Sequence, residues 1–174
     1  MKRLKIIVLL VLFSLVCGCG ANPTKVVFEN PQQIKSIKTV AVFPFVCNRS
    51  QTGQIIAAAL AANLEESRFA VIKQDRLQHL LKEQGLTLKR VSEDHRSAVG
   101  KLKDVDAVIT GSASVRMFGG YTEHVAESTA RMIDVSTGET LLTVNFAAEN
   151  ARGLKGTTPA DQIGAELAKK FSSY

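Results

Sequence analysis

The sequence predicts an α/β fold in which helices pack on a single mixed β-sheet. Residues 38–45, KTVAVFPF, form a nearly continuous apolar run rich in β-forming residues, which is typical of a strand covered on both faces. Between residues 106 and 148, β-rich runs are separated by the turn-like segments Gly119-Gly120 and Ser136–Glu139. That spacing favours an antiparallel meander.

The other elements follow from apolar periodicity. Ile56, Leu60 and Leu64 recur every four residues and predict a helix over 54–67. The remaining predicted elements are a strand at 69–73, helices at 75–84 and 93–102, strands at 108–117, 121–134 and 140–148, and a helix at 159–171. The predicted order is therefore β-α-β-α-α-β-β-β-α, ending in an antiparallel meander plus helix.

The first residues are typical of an export signal. Three basic residues within positions 1–5 precede an apolar run over 6–16 that is too short to span a bilayer. The next residues, Val16–Cys19 (VCGC), resemble the lipobox of bacterial lipoproteins, with an aliphatic residue three places before Cys19 and a small residue just before it. We therefore predict cleavage before Cys19 and lipidation of its sulfur. The alternatives are a plain signal peptide, an uncleaved anchor, or Cys17 as the acceptor.

Lipidation at Cys19 implies three segments. Residues 1–18 are the signal peptide, residues 19–37 the lipidated N-terminus and tether (with 26–28 as a short docking strand), and residues 38–174 the periplasmic domain. Two or three acyl chains, palmitate among them, bind Cys19 stably to membrane lipid. Gly20 stands where an Asp would retain some lipoproteins in the inner membrane, so we expect the outer membrane.

Composition gives no indication of a nucleic-acid partner, and we expect none. Three of the 22 basic residues lie in the signal, which leaves 19 scattered basic residues against 16 acidic ones. Cys47 is the only other cysteine of the mature chain. We expect its thiol to be buried, as free cysteine tends to be, while a disulfide between two copies is the alternative.

The sequence offers no convincing reaction centre. The three histidines lack metal-ligand spacing, and no helix follows Gly119-Gly120 to form a phosphate loop. The only candidate enzyme would combine Ser112 and Ser114 with Glu123 and His124, and neighbours in a strand point to opposite faces. We expect no catalytic residue, no metal and no cofactor.

Four segments, in order, resemble the curli-secretion lipoprotein (CsgG) family and its LpoB-like relatives. They are the strand KTVAVFPF; a helix carrying Leu77, Leu80, Leu81, Glu83 and Gln84; a strand with Val105, Asp106, Val108, Ile109 and Gly111; and a hairpin with Asp134, Thr137, Gly138 and Glu139. The resemblance covers residues 38–172.

This resemblance implies a non-catalytic envelope lipoprotein that works by protein–protein contact in envelope assembly or secretion. Its partner would be another envelope protein or further copies of this chain. The alternatives are an LpoB-like activator of a peptidoglycan synthase and an oligomeric secretion-channel subunit. The hairpin over 111–130 carries charged residues on its returning strand, and the tether is short, so both alternatives fit the residues less well.

Overall fold

The computed structural model describes residues 24–28, 31–85, 102, 104–118, 122–147 and 159–174. Seven strands form one sheet: β1 (Thr24–Phe28), β2 (Thr39–Val42), β3 (Val46–Cys47), β4 (Ala70–Ile72), β5 (Ala107–Phe118), β6 (Thr122–Asp134) and β7 (Thr140–Ala147). In these ranges the helices are α1 (Pro31–Ile34), α2 (Ser50–Glu65), α3 (Gln74–Glu83) and α4 (Ala160–Ser172). The helix predicted over 93–102, apart from its last residue, and the turn at Gly119-Gly120 lie outside the described residues.

The sheet is mixed, as predicted. Its order is β1-β7-β6-β5-β2-β4. The neighbouring strands β1, β7, β6 and β5 pair antiparallel. The strand β2 pairs parallel with both β5 and β4. Pro44 interrupts the first buried strand because it has no N–H to donate. Beyond it, β3 resumes pairing with β5 at Ser112 and Ala113. The fold class and the C-terminal meander plus helix are confirmed.

One face of the sheet, called here the helix face, is covered by α2 and α4. Their predicted apolar rows are buried, with Ile56, Leu60 and Leu64 on α2 and Ile163, Leu167 and Phe171 on α4. The two helices pack closely because Gly164 has no side chain. A Cβ at Gly164 would lie 2.6 Å from the Cβ of Ala59 and 2.6 Å from the carbonyl oxygen of Ile56.

The other face, called the open face, is apolar only at one end. There α3 covers the sheet through Leu77 and Leu81, which join a smaller core with Phe43, Val108 and Ile133. Toward the other end of β5 and β6 this face carries small polar and charged residues. Exposed members are Ser112, Ser114, Arg116, Glu127 and Arg131.

The segment predicted as a tether belongs in part to the folded domain. β1 pairs with β7 along its whole length, with Val26 opposite Val144, so the docking strand exists. Ile34 and Ile37 are 0% and 3% exposed and lie in the main core. Residues ahead of the expected boundary at 38 therefore contribute a strand to the sheet and side chains to the main core. The prolines and polar residues around these apolar positions obscured them.

Two family motifs are explained by backbone contacts. The Asp106 carboxylate accepts hydrogen bonds from the backbone N–H groups of Lys38 (2.9 Å) and Thr39 (2.8 Å), so it holds the start of β2 beside β5. Gly111 leaves room for the ring of Phe45, because a Cβ there would lie 2.5 Å from a ring carbon. Both residues therefore position strands.

The hairpin motif at the other end of β6 is a turn built on one carboxylate. Asp134 Oδ1 accepts hydrogen bonds from the N–H and the hydroxyl of Ser136 (2.7 and 2.6 Å) and from the N–H of Thr137 (3.0 Å). Gly138 supplies the positive φ, 71°, that closes the turn. Burial would raise the pKa of Asp134, but the hydrogen bonds from Ser136 and Thr137 outweigh it and hold the pKa below its ordinary value.

Candidate functional site

The predicted lipidation residue, Cys19, lies outside the described residues, but the strand that follows it shows where the anchor would attach. Thr24 begins β1 and pairs with Phe146 near the end of β7. Thr24 lies five positions after Cys19, and five extended residue steps span at most about 17 Å. A lipid on Cys19 would therefore keep this end of the sheet close to the membrane.

The same end of the sheet carries a projecting hairpin. β7 stops pairing with β6 at Glu127, and β3 stops pairing with β5 at Ala113. Beyond these positions the two strands pair with each other as far as Phe118 and Thr122. We call the segments 115–118 and 122–125 the hairpin arm. It extends about 16 Å past the level of Ala113, at roughly 3.3 Å per residue.

Asn48 fixes the base of the hairpin arm on one side. Its side-chain amide donates to the carbonyl oxygen of Val115 (3.1 Å) and accepts from the N–H of Val115 (3.0 Å). The amide side chain thus takes the place of a strand residue where the pairing of β5 and β6 shifts, between Ser114 and Val115. The sequence showed Asn48 only as part of a polar, turn-like run, and nothing in its spacing indicated this role.

Glu123 fixes the arm on the helix face. Its carboxylate accepts a hydrogen bond from the Thr52 hydroxyl (2.7 Å) and lies 3.7 Å from the Arg49 Nε. Thr52 is buried in the first turn of α2, whereas the ion pair is about half exposed and adds little stability. The arm is therefore held to the body of the domain by polar contacts at the start of α2.

The structure separates the residues of the candidate enzyme. Glu123 lies opposite Met117 and faces α2, while His124 lies opposite Arg116 on the open face. Ser112 and Ser114 are exposed on the open face, away from Glu123. The alternation predicted for neighbouring strand residues is confirmed, and it removes Glu123 from any group formed by the other three residues.

A groove of about 570 Å³ lies between α2 and the sheet edge at β4. Its walls are mostly small and apolar, and its rim is polar. The apolar residues are Val42, Pro44, Ala57, Ala58, Ala61, Ala62, Val71 and Ile72. No serine, cysteine or histidine lines it, and its charged residues are Glu65 and Lys73.

Cys47 and the acidic residues do not form a metal or redox centre within the described ranges. Cys47 is half-buried: it packs against the helix-face core, and its Sγ lies 3.5 Å from the Asn48 Oδ1. The burial predicted for it is therefore correct only in part. Among the residues the structure describes, no three His, Cys, Asp or Glu side chains lie close enough to hold a metal ion. In the same residues, no helix is long and apolar enough to cross a membrane.

Comparison with known protein families and structures gives the following matches. The model of the curli production assembly/transport component CsgG matches residues 30–119, which is more than half of the 174 residues. No curated protein matches the chain. Lipoprotein GNA1162 from Neisseria meningitidis has a similar fold, with 17% identity, 78% of this chain and 94% of that chain covered, and a TM-score of 0.52.

Two further solved structures are similar. A PelC variant from Paraburkholderia phytofirmans, described as a dodecamer, shares 13% identity, with 87% of this chain and 98% of that chain covered and a TM-score of 0.50. The C-terminal domain of LpoB from Escherichia coli shares 16% identity, with 80% and 94% covered and a TM-score of 0.49. At these identities the GNA1162 and PelC structures show a shared fold and no more.

Proposed function

Because the chain belongs to the CsgG family, we propose that it is a lipid-anchored accessory protein of the bacterial envelope, which acts by binding another envelope protein and catalyses no reaction. Family membership is the observation that carries this proposal. The arrangement of side chains supports it, since the polar residues of the one candidate enzyme are divided between the two faces of the sheet.

The anchor is the first part of the proposal to test. We propose that Cys19 carries the lipid, that the anchor sits in the outer membrane, and that the domain faces the periplasm. Mass spectrometry of protein extracted from membranes should show a mature N-terminal peptide that begins with acylated Cys19. Cys19→Ser should abolish processing and acylation, and Cys17→Ser is the matched control that should not. Normal processing of Cys19→Ser would contradict the anchor.

The partner can be sought from three exposed positions on different surfaces. Ala58 lies on the groove, Ser114 on the open face and Met117 on the hairpin arm. A photo-crosslinking residue at each position, activated in intact cells, should give a protein adduct from one surface and not from the others. Mass spectrometry of that adduct identifies the partner. Membrane-bound protein that yields no protein adduct from any of the three positions would contradict a protein-binding role.

Self-assembly is a second form of the same function. The similar PelC structure is described as a dodecamer, and a CsgG-like secretion subunit would also be oligomeric. Under this alternative the photo-adduct would be a second copy of this chain. Light scattering of the purified, detergent-extracted protein distinguishes the two cases. An accessory module whose partner is another protein should be a monomer when purified alone, whereas a self-assembling subunit should remain oligomeric.

An LpoB-like synthase activator is supported less well by the structure. That role requires the domain to reach across the cell wall from the outer membrane. With β1 beginning at Thr24, the chain between Cys19 and the sheet spans at most about 17 Å. A domain anchored so closely fits a partner at the same membrane.

A further inference from the structure

The sheet edge at β4 is free among the strands that the structure describes. β4 stands at the end of the strand order, and in the described chain its partner is β2 alone. The N–H of Ala70 donates to the carbonyl oxygen of Lys38 (2.8 Å), so the backbone groups of Ala70 point toward β2. Since these groups alternate along a strand, the N–H and C=O of Val71 point the other way, toward the free edge. An extended chain beside β4 would find one donor and one acceptor there.

The groove between α2 and β4 runs along this edge. α2 connects β2 to β4, which are parallel, so α2 runs antiparallel to both strands. The groove follows α2 from Gln54 to Glu65, about 16 Å at 1.5 Å per residue, and about five extended residues match that length. The α2 wall is made of alanines, whose short side chains leave the volume to bulkier side chains of a partner. They are Ala57, Ala58, Ala61 and Ala62.

The two charged residues of the groove lie at its opposite ends. Lys73 follows the last residue of β4, at the end where α2 begins, and Glu65 is the last residue of α2, at the end where β4 begins. Both are exposed. An extended segment that runs antiparallel to β4 would enter near Lys73 and leave near Glu65. An acidic residue before its apolar part and a basic residue after it would therefore complement both charges.

We propose that an extended segment of the partner protein adds to the sheet beside β4, antiparallel to it, and places apolar side chains in the groove against the alanines of α2. The segment alternates apolar and small polar residues, begins with an acidic residue and ends with a basic one. Its central residue exchanges two hydrogen bonds with Val71, as directly opposite residues of an antiparallel pair do. The inference rests on the protein-binding role of the proposed function and names the surface and the kind of segment. Main-chain bonds give such a complex affinity, and the groove gives it specificity.

The test uses the full lipidated protein in detergent and two synthetic peptides with the same fluorophore, ETVTLTVTK and the charge-reversed KTVTLTVTE. Anisotropy titrations measure the two affinities. The first peptide should bind about threefold to tenfold more tightly, because each exposed ion pair contributes little and two are exchanged for repulsions. Equal binding of the two peptides, or no binding of either, would overturn the groove as the site.

A charge swap in the protein sharpens this comparison. Glu65→Lys combined with Lys73→Glu should reverse the preference between the two peptides. Both substitutions suit the helix dipoles, since they place a basic residue at the end of α2 and an acidic one before α3, so the variant should fold. Arg116→Glu combined with Glu127→Lys, an equal swap on the open face, is the control and should keep the wild-type preference. An unchanged preference in the groove variant would overturn the proposed direction of the segment.

Methylation of the peptide backbone separates strand addition from other docking. An N-methyl group on the central leucine of ETVTLTVTK removes the N–H that donates to the Val71 carbonyl oxygen, and should weaken binding by about twofold to tenfold. The same group on the next threonine, whose N–H points away from β4, should leave binding unchanged. Equal losses from the two methylated peptides would overturn the strand pairing.

Photo-crosslinking in intact cells distinguishes this inference from the proposed function. An adduct from Ala58 to a partner segment with the alternating pattern and the two end charges would support the groove. A protein adduct from Ser114 or Met117, with none from Ala58, would overturn the groove and leave the protein-binding role intact. An adduct from Ala58 to a second copy of this chain would assign the edge to self-assembly and overturn the partner segment.

Discussion

The two faces of the sheet differ in how much of each is covered by helices. The helix face buries a continuous apolar core beneath α2 and α4, and the buried polar residues of the described chain, Thr52, Thr110 and Ser128, carry no charge. The open face is apolar only where α3 covers it, and its remainder is polar and exposed. Stability should therefore depend most on the helix face, while the exposed polar part of the open face is free to change without loss of the fold.

The largest effect is expected at Phe171, whose side chain is fully buried at the end of α4. Phe171→Ala should lower the free energy of unfolding by about 3–5 kcal/mol, because it leaves a cavity in the helix-face core. Urea denaturation followed by circular dichroism measures the change. Val27→Ala, at a 40% exposed position on β1, is the control and should change stability by less than about 0.5 kcal/mol. Equal losses in the two variants would remove the distinction between the faces.

A smaller loss is expected at the crossing of α2 and α4. Gly164→Ala should destabilise by about 1–3 kcal/mol, because the added Cβ meets Ala59 and the backbone of α2. Helix propensity alone predicts the opposite sign, a gain of roughly 0.5–1 kcal/mol. Ala62→Gly, at an exposed position of α2, measures that propensity in this protein. A Gly164→Ala variant more stable than the wild type would show that the helices separate without cost.

A pH-dependent effect is expected at Asp134, outside both cores. Its folded-state pKa lies below the ordinary value of 3.8 because of the turn hydrogen bonds, which outweigh burial. The carboxylate therefore stabilises the fold above pH 3.8 and loses that contribution as pH falls through the folded-state pKa. Asp134→Asn should cost about 1 kcal/mol at pH 7, and the gap to the wild type should narrow below pH 3.8. Urea midpoints at pH 7 and pH 3 test this, and a gap independent of pH would contradict it.

The smallest effect is expected on the open face. Ser114→Ala and Ser112→Ala should each change the free energy of unfolding by less than about 0.5 kcal/mol, since both side chains are exposed. Ser128→Ala, at a buried hydroxyl that donates to the carbonyl oxygen of Ser112, should cost more. A large loss from Ser114→Ala would mean that the open face contributes to stability.

The sequence predicted elements whose apolar periodicity was uninterrupted. The helix with Ile56, Leu60 and Leu64 and the meander around Gly138 were found because each is repetitive or has a distinctive turn residue. β1 and α1 were partly missed, because their few apolar residues, Ile34 among them, become recognisable only once β7 and the core are in place.

The polar contacts of the hairpin arm were missed for a different reason. Asn48 meets Val115, and Thr52 meets Glu123, across about 70 residues of chain, and no local pattern reports such a contact. The close approach of α2 to Gly164 could not be predicted either, since a glycine within a helical pattern does not indicate that another helix crosses at that position. The division of Glu123 and His124 between two faces did follow from the sequence, because strand alternation is local.

β1 also determines how the domain would respond to tension on its anchor. A pull transmitted through Cys19 would enter the domain at Thr24 and act along the axis of β1. The hydrogen bonds between β1 and β7 run perpendicular to the strands, so such a force loads all five paired positions together in shear. Strands sheared in this way must break several bonds at once, whereas strands peeled from one end break them singly. If Cys19 carries the proposed lipid, the edge strand β1 is thus arranged to bear mechanical load.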